Sequence, residues 1–242
     1  MRPDFSDFKD IYDAEKLKRD AARLKEKRAR IFAKGAFDRS EDFDLGEDFE
    51  YCLMEAFHER GWFDESVSVS PGSQYDDMFY GIDLILAFRD DGDQGEPVYD
   101  FLAIDATVAL DDLILEKKAE EARKDLRNGR MAIAEYFIND ENPDMRGAIK
   151  MPKVVVSMVP AEAIELQNLL SRGKNLSFDD QKKLKLYKEK IIYQLTKGLE
   201  SQIAFLREWE NAASPGLKKE LPFLRRKYGR LLELIKQKKK TG

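Results

Sequence analysis

The chain has 242 residues, of which 37% are charged, and its formal net charge is −5. Its single cysteine (Cys52) and single histidine (His58) exclude an intrachain disulfide and any metal site built from several of these residues. A metal site within one chain therefore needs mainly oxygen ligands, which Mg²⁺ and Mn²⁺ prefer. No apolar run approaches the ~18 residues of a membrane span, and there is no signal-peptide pattern, so we expect a cytoplasmic protein without a membrane partner.

The first predicted region, residues 1–46, consists of a charged helix from about residue 11 to 34 and a connector from about 35 to 46. The helix carries Lys16, Lys18, Arg19, Arg23, Lys25, Lys27, Arg28 and Arg30 and is basic on balance. It is either a solvated helix packed along one edge or an arm that contacts phosphates.

The second region, residues 47–160, is predicted to be an α/β core. A helix from 47 to 60 ends at a glycine, and a short strand follows at 66–70. Two apolar runs, 80–88 and 98–107, flank a loop rich in Asp and Gly and predict a β-hairpin. A helix at 110–127 and strands at 131–138 and 153–159 complete a mixed sheet with flanking helices.

Each strand of the hairpin contains one acid, Asp83 or Asp105, within an otherwise apolar run. Burying an unpaired carboxylate is costly, and neighbouring strands lie under ~5 Å apart, so a shared divalent cation is the simplest explanation. A helix crossing the sheet could add Glu50, and the carbonyl of Ala106 could add another oxygen. The alternative is that both aspartates are exposed at a strand edge or a cap.

The third region, residues 161–242, is predicted to be helical, with segments at 161–171, 177–212 and 221–235. These helices offer surfaces for homo-oligomerisation. The end of the chain is strongly basic, and it suggests nucleic-acid binding through Arg225, Arg226, Lys227 and Arg230. The alternative for this end is a solubilising tail.

The pattern of the core resembles the PD-(D/E)XK nuclease superfamily, whose fold is called restriction-endonuclease-like. In that family a helix glutamate, a strand aspartate and a (D/E)XK tripeptide on the next strand gather around divalent metal. Glu50 matches the helix acid, and Asp83 follows Gly81-Ile82 where the family has its first aspartate. Asp105 and Ala106 match the first two residues of the tripeptide, while Thr107 stands where the family has its lysine. The resemblance implies a site for Mg²⁺ or Mn²⁺.

Because this lysine is missing, the sequence is compatible with three different functions. Thr107 can hydrogen-bond to water but has no positive charge, and Lys117 on the following helix is the first substitute that we expect. With such a substitute, the resemblance implies metal-dependent hydrolysis of phosphodiester bonds in DNA or RNA. Without one, the chain is a catalytically inactive module that binds nucleic acid or a protein partner. A structural α/β protein without any link to nucleic acid is the third alternative.

Overall fold

The computed structural model describes residues 2–33, 41–90, 97–110, 112–139, 142, 144–173 and 175–241. Within these ranges the chain forms seven α-helices, a short 3₁₀-helix and six strands. The helices are the 3₁₀-helix Phe5–Phe8, α1 Ala14–Ala33, α2 Glu41–His58, α3 Gln74–Tyr80, α4 Asp112–Arg127, α5 Pro160–Ser171, α6 Phe178–Trp209 and α7 Pro215–Thr241. The strands are β1 Val67–Pro71, β2 Leu84–Asp90, β3 Val98–Val108, β4 Ala132–Ile138, β5 Arg146–Met151 and β6 Lys153–Met158. The predicted α/β class is confirmed.

The central sheet has four strands in the order β1-β2-β3-β6. The pairs β1–β2 and β2–β3 are antiparallel, whereas β6 pairs with β3 in parallel, so the sheet is mixed as predicted. The predicted strand at 131–138 is β4, which lies outside this sheet. The predicted hairpin is β2–β3, although residues 91–96 of its loop lie outside the described residues. A parallel pair needs a long crossover, and here it contains α4 and the separate two-stranded sheet β4–β5.

Alternation along β2 and β3 divides the apolar core into two layers. Leu84, Leu86 and Phe88 of β2 belong to the cluster that also contains the buried residues of α2, α5, α6 and α7. The intervening residues Ile85 and Ala87 join a smaller cluster with β4 and β5. Successive strand residues point to opposite faces, so the two clusters cover both faces of the sheet. This explains why the sequences of β2 and β3 are continuous apolar runs.

A third apolar cluster holds α1 against α3 and β4. Phe8, Leu17, Leu24, Tyr75 and Tyr136 are its buried members, and the rings of Phe8, Tyr12 and Tyr75 each lie within 5.5 Å of the Tyr136 ring. Edge-on aromatic pairs of this kind add to the stabilisation from burial. The basic helix α1 is thereby fixed along one edge.

Several predicted boundaries were wrong. The predicted connector at 35–46 ends earlier, because α2 begins at Glu41; residues 35–40 lie outside the described residues. No helix was predicted between the strand at 66–70 and the hairpin, but Asp76 and Asp77 belong to the short helix α3. The Ser73 side chain caps this helix, and Gly81 ends it in the left-handed conformation. β5 was missed, and α7 is longer than the predicted 221–235 helix because Pro215 starts it and Pro222 lies inside it. Among the described helices, none has an apolar stretch long enough to span a membrane.

Asp76 connects α3 to β4 and thereby fixes the position of α3. Its two carboxylate oxygens accept hydrogen bonds from the backbone N–H groups of Glu135 (2.6 Å) and Tyr136 (3.0 Å), and the Ser73 hydroxyl donates a third bond of 2.6 Å. The Asp76 side chain is buried. Without this carboxylate, the donors would stay buried and unpaired, which is costly.

We predict that Asp76→Ala lowers the free energy of unfolding by about 3 kcal/mol, because buried donors lose their acceptor. Asp76→Asn should cost less, since one oxygen can still accept. Asp179→Ala is the matched control, because Asp179 is an exposed acid in the first turn of α6. Urea unfolding of the three variants measures the difference, and equal losses in Asp76→Ala and Asp179→Ala would contradict the role of Asp76.

Candidate functional site

An open cleft of about 540 Å³ lies between α2 and the start of β2. The lining includes Glu47 and Glu50 from α2, Leu84 from β2 and Asp83 directly before it, together with Arg2 and Gln74 from the segments beside them. Its acids are carried by elements that are fixed by the apolar core, since Phe49 and Leu53 of α2 are buried against the sheet. The cleft therefore has a rigid acidic wall.

Asp83 is the most buried acid of the cleft, with 5% of its surface exposed. Its backbone N–H donates to the carbonyl of Ile104 (2.9 Å), and its Oδ2 accepts the N–H of Ala106 (2.7 Å). Burial raises the pKa of Asp83 well above its usual value, and the neighbouring carboxylates of Glu50, Asp77 and Asp105 raise it further. The predicted site residues Glu50, Asp83 and Asp105 are thus electrostatic neighbours.

Arg2 neutralises part of this negative charge. Its guanidinium forms an ion pair with Glu50 and another with Asp77 (2.8 Å), and both Arg2 and Glu50 are largely shielded from solvent. Burial raises the pKa of Glu50 to about 7, while Arg2 acts to lower it and Asp77 to raise it. Sequence reasoning did not identify Arg2 or Asp77, because their contacts to Glu50 join distant parts of the chain.

Asp105 stands on β3 beside two lysines. The register pairs Leu84 with Ile104, so Asp105 lies one step beyond the ladder, opposite Asp83. Its Oδ1 pairs with Lys118 of α4, and its Oδ2 lies 3.8 Å from the Nζ of Lys153 at the start of β6. Lys153 also donates to the carbonyl of Tyr80 (2.6 Å), so it is fixed in place.

Gly81 gives Asp105 the space that it occupies. Its φ is +57°, and a Cβ at this position would lie 2.9 Å from Oδ2 of Asp105. Such a contact is too short for two unbonded atoms, and the left-handed backbone already favours glycine. Gly81 therefore caps the C-terminus of α3 and, because it has no side chain, leaves space for the Asp105 carboxylate.

The other predicted catalytic residues lie close to Asp105 in the chain but differ in their surroundings. Thr107 is half-buried on β3 and is paired in register with Ser157 of β6. Lys117 is exposed on α4, and its neighbour Lys118 has the contact with Asp105. The half-buried face of α4 runs through Leu115, Lys118, Ala119 and Ala122 to the buried Leu126. This helical spacing includes position 118 and not 117, and it could have identified Lys118 from the sequence.

The predicted nucleic-acid-binding residues of α7 have mostly internal partners. Arg225 pairs with Glu210 (2.8 Å), and Arg230 pairs with Asp100 (2.6 Å) and Asp90 (3.1 Å). Lys227 donates to the backbone carbonyl of Lys150 (3.3 Å), and Arg226 is exposed. These contacts fasten α7 to the sheet and to α6.

The acids of the cleft are suited in kind to a hard divalent cation, since all their donors are oxygens. Asp83 uses Oδ2 for Ala106 and has a second oxygen, and Glu50, Asp77 and Asp105 add three more carboxylates. Across the described part of the chain, however, no three His, Cys, Asp or Glu side chains are arranged as a metal site. Arg2, Lys118 and Lys153 supply the positive charge instead.

Comparison with models of protein families, with curated proteins and with solved structures gives no match for this chain. Only the geometry of the cleft therefore bears on the function of the chain.

We predict that, in EDTA, Glu50→Gln stabilises the protein above about pH 7 and has little effect below about pH 4.5. The folded protein keeps a proton on Glu50 that the unfolded chain releases, so stability is lost as pH rises from the usual pKa of 4.5 to about 7. The gain should be about 2 kcal/mol.

Glu47→Gln is the matched control, because Glu47 is an exposed acid one helical turn before Glu50. Urea unfolding of both variants and of the unmodified chain across this pH range provides the measurement. A gain that is the same at both ends of the range, or the same for both variants, would contradict the assignment.

Proposed function

We propose that this chain is a metal-dependent nuclease of the restriction-endonuclease-like type that hydrolyses phosphodiester bonds in DNA or RNA. One arrangement of charges carries the proposal: Glu50 of α2 and the buried Asp83 line an open cleft, Asp77 and Asp105 are electrostatic neighbours of Asp83, and Lys118 is in contact with Asp105. This many carboxylates in a partly desolvated region destabilise a fold unless they bind a ligand.

Glu50, Asp83 and Asp105 would hold Mg²⁺ or Mn²⁺, with Asp77 and the carbonyl of Ala106 as further oxygen donors. When bound, such a cation lowers the pKa of a coordinated water and neutralises charge on a phosphate. The Ala106 N–H, which donates to Asp83, keeps that carboxylate oriented. The hydrogen bond of Lys153 to Tyr80 fixes a second positive charge close to Asp105.

Lys118 supplies the charge that Thr107 lacks. Its ammonium group pairs with Asp105, the residue that matches the acid of the (D/E)XK tripeptide. From this position it would orient the attacking water and stabilise the negative charge that develops on the phosphate. Thr107 would add a hydroxyl from the strand that carries Asp105. Lys117, which was the expected substitute for the missing lysine, has no role in this proposal.

Arg2 favours a second candidate, the catalytically inactive module that binds nucleic acid or a protein partner. Its guanidinium already pairs with Glu50 and Asp77, two of the acids that a metal would need. A chain that had lost its metal could keep this arrangement as a structural ion-pair network. The two candidates differ in whether a divalent cation can replace Arg2.

We predict that the protein cleaves plasmid, single-stranded DNA or RNA in Mg²⁺ or Mn²⁺, and that Asp83→Asn or Asp105→Asn abolishes the cleavage. Lys118→Ala should reduce the rate at least about a hundredfold, because an electrostatic and proton-transfer partner is lost. Lys117→Ala is the matched control, since it removes the same charge from the adjacent position. Equal rates for the two lysine variants would contradict the assignment of Lys118, and no cleavage of any substrate would contradict the nuclease.

We predict that Arg2→Ala tightens Mn²⁺ binding roughly tenfold, since a competing positive charge worth about 1.4 kcal/mol is removed. Isothermal titration calorimetry measures this without any cleavage. Arg28→Ala is the matched control, because Arg28 donates to the Gln74 amide at the edge of the same cleft and not to its acids. If neither the unmodified chain nor Arg2→Ala binds Mn²⁺, the inactive module is the better account.

A further inference from the structure

The basic surface of α1 has more positive charge than its acids can neutralise. Between residues 16 and 30 there are eight Lys or Arg residues and two acids, Asp20 and Glu26. The single carboxylate of Asp20 is shared by Lys16 (2.8 Å), Arg19 (3.6 Å) and Arg23 (3.8 Å). Glu26 pairs with Arg30 (2.5 Å).

Two of these cations are held in place by neutral groups. Arg23 donates to the hydroxyl of Tyr75 (2.9 Å), and its guanidinium lies 5.0 Å from the centre of the Phe79 ring. Lys27 donates to the backbone carbonyl of Met78, and its Nζ lies 4.5 Å from the same ring. These contacts order both side chains without neutralising their charges, and the nearest acid to Arg23 is Asp20 at 3.8 Å, which Lys16 and Arg19 share. Less entropy is therefore lost when the two side chains bind an anion.

Arg23, Lys27 and Arg30 line an open cavity of about 400 Å³, together with Glu26, Ile31 and Phe79. The cavity adjoins the acidic cleft through α3. Arg28 donates to Gln74 (2.8 Å), which lines the cleft, and Lys27 is within electrostatic range of Asp77, the partner of Arg2. A chain bound at α1 would therefore reach the acids at Asp83 without crossing the protein.

We propose that the cavity formed by Arg23, Lys27, Arg30 and Phe79 binds the phosphate backbone of the nucleic acid whose scissile bond enters the acidic cleft. The proposal rests on the proposed function in taking the ligand of the cleft to be a nucleic acid. It favours α1 over α7, where Arg225 and Arg230 already pair with acids of the chain. Backbone contacts of this kind position a strand without reading its sequence.

The test is binding of fluorescein-labelled single-stranded DNA, duplex DNA and RNA by anisotropy, in EDTA and again in Ca²⁺, over a range of salt concentrations. The variant Arg23→Gln/Lys27→Gln removes two cavity charges, and Arg30→Gln removes an exposed one without touching the aromatic cluster. Lys182→Gln/Lys185→Gln is the charge-matched control on the exposed face of α6. Thermal unfolding confirms that each variant is folded.

We expect the α1 pair to bind at least about tenfold more weakly, and its plot of log affinity against log salt to be shallower by about 1.4 for a single strand. Arg30→Gln should show part of this loss, and the α6 pair none. Equal losses in the α1 and α6 pairs, no loss in the α1 pair, or no salt-dependent binding by the unmodified chain would overturn the proposal. Cleavage, together with binding that the α1 variants do not weaken, would overturn the proposal for α1 but agree with the proposed nuclease activity. Binding that the α1 variants weaken, without any cleavage, would support the proposal for α1 and contradict the nuclease activity.

Discussion

Electrostatic repulsion among carboxylates that the fold forces together is the constraint on which the rest of this structure depends. Asp83 is almost fully buried, and Glu50, Asp77 and Asp105 all act to keep it protonated. The chain offsets this repulsion with cations from three distant segments: Arg2 near its start, Lys118 on α4 and Lys153 on β6. A fold selected only for stability would place apolar residues at these positions, because buried ion pairs rarely exceed the stability of a well-packed apolar cluster.

The architecture serves to hold these groups at one end of the sheet. Two apolar layers cover both faces of β2 and β3, so the backbone that carries Asp83 and Asp105 has little freedom. The helix that carries Glu50 is packed on one side of the sheet, while α3 with Asp77 is tied to β4 by the Asp76 carboxylate. Rigid elements of this kind position charged groups more accurately than loops do.

Features that depend on residues close together in the chain could be predicted from the sequence, whereas contacts between distant segments could not. The hairpin, Asp83 and Asp105 could be recognised because an acid inside an apolar run conflicts with its surroundings. Helix α3 escaped recognition, since seven residues are too few to show a periodic pattern, although Ser73 and Gly81 marked both of its ends. Lys118 could have been separated from Lys117 by the spacing of the buried face of α4. Arg2 could not have been found, because its pairing with Glu50 depends on how the N-terminal segment folds back over α2.

Gly81 shows how a residue without functional groups can govern the position of a buried acid. It ends α3 three residues before β2 begins, and the Asp105 carboxylate occupies the space that a side chain at this position would fill. Any larger side chain would displace this acid and alter the angle at which the polypeptide enters the sheet. A survey of substitutions that ranks positions by chemistry alone would pass over this site, yet its tolerance to change should be as low as that of the acids themselves.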